Sequence, residues 1–484
     1  MKIQLLCIAL FITFGTHAQE KSLPKSAPVQ EGYTVPSTHV YSRNNATVPP
    51  AFFKPIHLKS TQCLSDTERT QLKRDIEANK KRILQKNPNA FKTKGSAPLF
   101  NLPIRAKAGF NDYGYYTLNF QVDQDPTPNG NLLDYNCGAR SYDWATGNHA
   151  GTDYILWPYP WRRMQEEVME IVAAAPGIIV DKRDGFFDLN CNNNGNPNWN
   201  GIVLEHGDGS QTWYLHFKDG SITSKNIGDS VTIGEYLGAA GSSGSSSIPH
   251  LHFEVYDAAD NLIDPYAGPC NSLNTDSWWA SQPDYHVPTI NRIRTLNSQN
   301  FDDACPTVEN TYEALNFDPG DELVVRVFYR DIQLNSQTHF TITDPNDEVM
   351  FDWTFDSPWD FATAWAHWVY NVDNTWPEGV YNITAEFGGN SYETIFGVGT
   401  NLGIETIENT NFTFYPNPSN GLLYIESESF MQKVEVFDLS GRKMTELSPN
   451  STLATINLET AATGLYLVTV FFEGGSRSFK IAKE

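Results

Sequence analysis

The chain is predicted to be mainly β: an antiparallel β domain with a groove, followed by two β-sandwich domains. Three observations lead there. The composition is folded and turn-rich, with 13% aromatic residues beside 34 Gly and 28 Pro, as in short strands joined by tight turns. Short runs separated by Gly, Asn and Asp turns, such as Gly201–Glu205 and His250–Tyr256, and alternating runs such as Leu323–Tyr329 and His339–Ile342 read as strands. A length of 484 residues implies several units, and no internal repeat marks a solenoid or propeller.

The elements follow in chain order. Residues 1–18 have the form of a signal peptide: Lys2, an apolar run from Ile3 to Phe14, then Thr16-His17-Ala18. That run is too short to span a bilayer, and no later segment reaches about 20 apolar residues. Cys7 sits too early for a lipoprotein site. Residues 19–105 read as a pro-region. Its first part, 19–62, is rich in Pro, Ser, Thr and Asn without periodicity and is expected as loop or extended chain. A helix follows: Ser65-Asp66-Thr67-Glu68 has capping-box spacing, and Leu72, Ile76 and Ile83 form a thin apolar stripe. Such a helix either clamps onto a partner domain or is a solvated linker.

Residues 106–285 form the next unit, with strands expected over Glu170–Val180, Gly201–Glu205, Thr212–Phe217 and His250–Tyr256. A β-sandwich is expected over 301–400. Of its aromatics, Trp353, Trp359, Trp365, Trp368 and Trp376 suggest a sugar-binding face, but alternation along strands makes most of them core. A last block spans 409–484. The formal net charge of −23 excludes a nucleic-acid partner, which needs a basic face.

Without Cys7, five cysteines remain in an oxidising compartment: Cys63, Cys137, Cys191, Cys270 and Cys305. The odd count resolves if Cys63 leaves with the pro-region. The remaining four allow three connectivities, of which Cys137–Cys191 and Cys270–Cys305 are the expectation. None has zinc-ribbon spacing.

Three segments carry chemistry. Gly147 to Tyr154 presents His149 and Asp153 from a turn or strand, since Asn148 and Gly151 disfavour helix. In Thr212 to Phe217, alternation places Thr212, Tyr214 and His216 on one face and Trp213, Leu215 and Phe217 on the other. In Pro249 to Val255, Leu251, Phe253 and Val255 pack inward, while His250, His252 and Glu254 share the opposite face. Together these offer His149, Asp153 and His252 as nitrogen and oxygen ligands, with His216 and His250 left over. Three protein ligands and one open position are the composition of a catalytic zinc site. Such a zinc acidifies water and polarises a carbonyl, as peptide hydrolysis requires. The two remaining imidazoles can move protons near neutral pH or stabilise an oxyanion. Each histidine taken alone is more often structural; the joint pattern carries the reading. His206 reads as a turn residue, Asp264-Pro265-Tyr266 as a strand exit or ordinary turn, and Trp278-Trp279 as core rather than groove.

The His-x-Gly-x-Asp, Tyr-x-His and Pro-His-Leu-His-Phe-Glu segments, with the glycine-punctuated run from Gly228 to Gly244, resemble those of lysostaphin-like and β-lytic zinc endopeptidases over residues 106–285. The resemblance implies an antiparallel β fold with a narrow groove, and one Zn2+ held by His149, Asp153 and His252. It implies assistance from His216 and His250, and cleavage of peptide bonds in peptidoglycan stems or cross-bridges. Alternatives are a protease of Gly-rich extracellular protein, or a zinc-containing wall-binding module without turnover.

The C-terminal block is similar to the sorting domain of the type IX secretion system. The likeness is carried by Phe414-Tyr415-Pro416-Asn417-Pro418, Asn420-Gly421, Val434 to Asp438, Gly441-Arg442, Gly464 to Val468 and the basic end Lys480 to Lys483. It implies export by that machinery to the cell surface or medium. The helix and the odd Cys63 further motivate the expectation that residues 19–105 keep the enzyme latent.

Overall fold

The computed structural model describes residues 32–43, 46–56, 62–91, 97–191, 196–301, 305, 309–400, 402, 412–438, 443–472 and 475–484. The expected signal peptide and Gly441-Arg442 lie outside them. Strands dominate, as the alternation predicts, and among the described residues no helix is long and apolar enough to cross a membrane.

The central unit is an eight-stranded sheet. Its order is Ser230–Val231, Gly177–Arg183, Gly201–Glu205, Gln211–Leu215, His250–Tyr256, Thr152–Leu156 and Tyr116–Phe120, with Leu262–Ile263 also paired to His250–Tyr256. A three-stranded sheet of Tyr236–Ala239, Met169–Val172 and Ile104–Ala106 lies against one face. Ile171 and Leu237 there meet Ile202, Leu204, Tyr214, Leu251, Phe253 and Val255 in one buried cluster. Period-two alternation aims these residues one way and their neighbours the other. The single strand expected over Glu170–Val180 is in fact two, in different sheets. The chain crosses between them through the buried Ala173, Ala174 and Ala175 and Pro176, whose ring nitrogen has no proton for a ladder.

The other face is roofed by one helix, α1 (Asp66–Lys86), so the solvated-linker option fails. The capping box is formed: Ser65 accepts from the Glu68 backbone N–H while Glu68 reaches back to the Ser65 N–H. Leu72, Ile76 and Ile83 pack on Val180, Trp199, Val203, Trp213 and Leu215. Each such side chain contributes about 1.5–3 kcal/mol when fully buried. Polar ties add direction: Asn79 donates to Val180 O at 2.9 Å, and Lys80 pairs with Glu205 at 2.7 Å.

A β-sandwich follows, and it recruits strands that precede the expected block, from residues 33–55 and 289–296. One sheet runs Tyr33–Val35, Ala51–Pro55, Phe361–Asn371, Glu322–Ile332, Thr289–Leu296; the other runs Asn316–Phe317, Asn390–Val398, Gly379–Phe387, Gln337–Thr343, Val349–Asp356, Thr38–Ser42. Thus part of the segment read as loop or extended chain is strand in both sheets. The pairing Thr38↔Thr354 joins residues far apart in sequence, which leaves no local signal to read. Trp353, Trp365, Trp368 and Trp376 are buried, whereas Trp359 is 41% exposed, so most of this aromatic run is core. Trp157 and Tyr159 of the first unit pack with Phe328 and Trp365 of the sandwich.

The C-terminal block is one sheet folded over its long strand Leu422–Asp438. The first half of that strand pairs with Phe412–Tyr415 and Ser451–Asn457, the second with Lys443–Leu447 and Gly464–Phe472, itself paired to Gly475–Lys483. Leu423, Ile425, Val434, Val436, Val468 and Val470 share its core.

The disulfides differ from expectation. They are Cys137–Cys270, with Cα atoms 5.1 Å apart, and Cys191–Cys305, at 5.6 Å. The fold decides this: the Cys270 N–H donates to Tyr135 O at 2.9 Å, which brings Cys137 and Cys270 side by side. Cys63 stands outside both bridges.

Candidate active site

Three of the predicted residues meet on the face that α1 covers. Asp153 lies on Thr152–Leu156 directly opposite His252 on His250–Tyr256, and both point away from the Leu251–Phe253 core. His149 comes from the loop just before, so the loop, rather than a helix, sets the four-residue spacing. Gly151 makes room: a Cβ there would come within 2.7 Å of the His252 ring and 2.8 Å of Phe253 O. His149 Nε2 lies 3.2 Å from Asp153 Oδ1 and 3.2 Å from His252 Nδ1, and His252 Nδ1 lies 2.7 Å from Asp153 Oδ1.

Hydrogen bonds outside this cluster orient each ring. His149 Nδ1 donates to Gln121 O at 2.7 Å, and His252 Nε2 donates to Glu254 Oε1 at 2.7 Å. Neither acceptor can donate in return, so His149 Nε2 and His252 Nδ1 carry bare lone pairs. Two lone pairs and a carboxylate oxygen this close need positive charge among them: a metal ion, or protons in its stead. The same field acts on titration. Burial opposes charge on His149, yet Asp153 pushes it up to about 9. Burial likewise opposes ionisation of Asp153, but His149 and His250 hold it below the usual range.

His216 and His250 complete a wall, their rings 4.6 Å apart. His216 Nδ1 donates to Ser243 O at 2.6 Å and His250 Nδ1 to Ile248 O at 2.7 Å. Their Nε2 atoms are buried and have no hydrogen-bond partner among the described residues. Burial lowers His216, while for His250 the Asp153 carboxylate overcomes burial and raises it. The route to this position corrects the alternation argument. The strand ends at Leu215, and His216 has φ +68°. That left-handed step turns its ring onto the His250 side, while Phe217 joins the core with Tyr214. Had the strand continued, His216 would have faced the core.

Sequence reasoning gave no site role to two further members, although it set Glu254 on the face of His252. Glu254, buried, pairs with Arg69 of α1 and also accepts from Tyr256 OH at 2.8 Å. Burial would raise its carboxyl, but Arg69 and the His252 N–H hold it at about 2. Its position two residues after His252, on the same face, was the available signal. Cys63 is the other: its Sγ lies 3.3 Å from His252 Nδ1 and 3.2 Å from Tyr142 OH. One donor atom each from Cys63, Asp153, His250 and His252 fits within 4.8 Å. The odd cysteine count marked Cys63 without saying where it goes.

The remaining candidates are structural. His206 is buried between Pro176 O at 2.8 Å and Thr212 Oγ1 at 3.0 Å. Asp264 receives the Tyr266 N–H at 3.0 Å, and Trp279 is buried in the core.

Two family models match parts of this chain. Residues 163–265 match the model of peptidase family M23, and residues 413–484 that of the secretion system C-terminal sorting domain. The first match contains His216, His250 and His252 and begins after His149 and Asp153. Among solved structures, the catalytic domain of the antimicrobial peptidase lysostaphin from Staphylococcus simulans is 22% identical. That match covers 32% of this chain and 86% of that one, with a TM-score of 0.18. A mutant catalytic domain of the prophage-encoded M23 protein EnpA from Enterococcus faecalis is 23% identical, covering 35% and 94%, with a TM-score of 0.20. No curated protein matches. The sorting domain marks the chain for export, to the cell surface or the medium. The chain therefore carries a peptidase family M23 domain and, at its C-terminus, a type IX secretion sorting domain.

Proposed function

We propose that this protein is a secreted zinc metalloendopeptidase that cleaves peptide bonds of peptidoglycan stems or cross-bridges. The observation that carries the reading is the convergence of His149 Nε2, Asp153 Oδ1 and His252 Nδ1 within 2.7–3.2 Å, with both imidazole tautomers set to present lone pairs. Two nitrogens and one carboxylate oxygen suit zinc and leave a ligand position open.

Bound there, zinc supplies a Lewis acid for the scissile carbonyl and acidifies water. The chain does the rest. Glu254 fixes the His252 tautomer and raises the basicity of its ligand nitrogen. His216 and His250 each keep a bare Nε2 beside the cluster, able to take a proton from water and return it to the leaving amine. Tyr142 stacks on His149 at 4.1 Å and holds its ring in place. The strand Gln211–Leu215, beside His250–Tyr256, forms the groove floor along which an extended peptide can lie.

The test uses the full chain and the chain cleaved downstream of α1. Loss of turbidity from purified cell walls is compared with release from a Gly-rich protein. Wall lysis that His216→Gln abolishes supports the reading. Release from the Gly-rich protein alone would transfer the activity to matrix proteins, and neither would leave a wall-binding module.

A further inference from the structure

This inference rests on the zinc reading above and concerns how the site is closed. The geometry points to Cys63 as a fourth, thiolate ligand of the zinc, filling its open position and holding the full chain latent while α1 lies in the substrate groove.

Four independent features meet here. Cys63 is 3% exposed, and its sulfur points into the ligand cluster, 3.3 Å from His252 Nδ1. The space it enters is built for a polar occupant, since His216 Nε2 and His250 Nε2 face it buried and without hydrogen-bond partners among the described residues. Position 63 is anchored by the two residues that follow it. Leu64 is buried in the cluster beneath α1, and Ser65 is the helix N-cap, so the cap sets where the chain enters the site. The helix then continues along the face that bears the ligands. Arg69 reaches Glu254, the residue that orients His252. Lys73 pairs with Asp260 at 2.8 Å, Lys80 with Glu205 at 2.7 Å, and Asp75 with Arg183 at 2.9 Å. Ligand cluster and groove floor are thus covered by one continuous segment.

The chemistry balances simply. The thiol gives its proton to solvent as its sulfur lone pair binds the metal, and the position that water needs is taken. Removing the segment returns that position to water and uncovers Val203, Trp213 and Tyr256 for substrate. A zinc thiolate bond is preserved as long as α1 stays docked, so docking and ligation reinforce each other.

The test is zinc-edge X-ray absorption on the zinc-loaded full chain, with metal content measured separately. One zinc with a single sulfur neighbour at about 2.3 Å, beside nitrogen and oxygen at about 2.0–2.2 Å, is the expected result. Cys63→Ser should keep its zinc and lose the sulfur. One zinc surrounded only by nitrogen and oxygen in the wild type overturns the role of Cys63 and leaves the metal reading standing. Absence of zinc from both proteins removes the metal reading, and this inference with it. Should Cys63→Ser not fold, alkylation of the wild type decides: zinc must slow reaction at Cys63 by about tenfold or more. Equal rates with and without zinc overturn the claim.

Discussion

The two faces of the eight-stranded sheet are equally buried and chemically opposite. One carries Ile202, Leu204, Leu251, Phe253 and Val255 and is closed by a second sheet of the same unit. The other carries Asp153, His252 and Glu254 among Val203, Trp213 and Leu215 and is closed by a single helix. The first lid is covalently and topologically woven into the unit. The second arrives from an earlier segment, held by a short apolar stripe and a set of ion pairs. Burial alone therefore does not tell a core from a covered groove; the chemistry of what is buried does. The site face gathers a carboxylate and several imidazoles, two with bare nitrogens, where the core face carries aliphatic and aromatic side chains.

Substitutions on the site face should act on function and those on the core face on folding. The largest expected effect is at the proton-moving wall. His216→Gln and His250→Gln should each lower peptide hydrolysis by about 10²–10⁴-fold while retaining zinc; unchanged hydrolysis in both would remove their assigned role. Next is the lid. If the groove is open in about 1% of full-length molecules, the double variant Leu72→Asp, Ile76→Asp should raise hydrolysis by up to about 100-fold. Steady-state rates on a wall peptide, before and after cleavage downstream of α1, check this. Glu254→Gln comes third, with zinc affinity weakened by about 10–100-fold in competition with a chelator and the fold retained.

The smallest effect lies away from the sheet, in the sandwich, where burial and then Arg326 lower His367 to about 3. An unfolded histidine takes its proton near 6.5, so the folded state binds fewer protons between these values. The stability from a neutral His367 is complete above pH 6.5 and is lost progressively as pH falls from 6.5 to 3. His367→Gln, which can still accept from Arg326, should flatten that acid loss by about 2 kcal/mol at pH 4.5. Urea midpoints at pH 7 and 4.5 measure it.

Much of the site face was legible because strand periodicity is strict. His252 and Glu254 fall on one side and Leu251 and Phe253 on the other by counting alone, and a His-x-His strand has no apolar purpose. Counting failed at His216, where one left-handed residue reverses the alternation. It also failed wherever partners are remote. The Thr38–Ser42 strand is largely exposed and pairs across the chain with Val349–Asp356, so no local pattern betrays it. Disulfide pairing likewise follows from which loops the sheets bring together. The placement of Cys63 depends on a helix docking onto a sheet, and sequence supplied only its odd number and the capping box beside it.

The central claim is that the covered face is a metal site. Zinc content of the purified, zinc-equilibrated full chain tests it most directly, beside Asp153→Ala and His252→Ala. One zinc per wild-type chain, with little or none in either variant and all three folded, is the result this account predicts. A wild-type chain that takes up no zinc, or variants that bind it as well as the wild type, would contradict it.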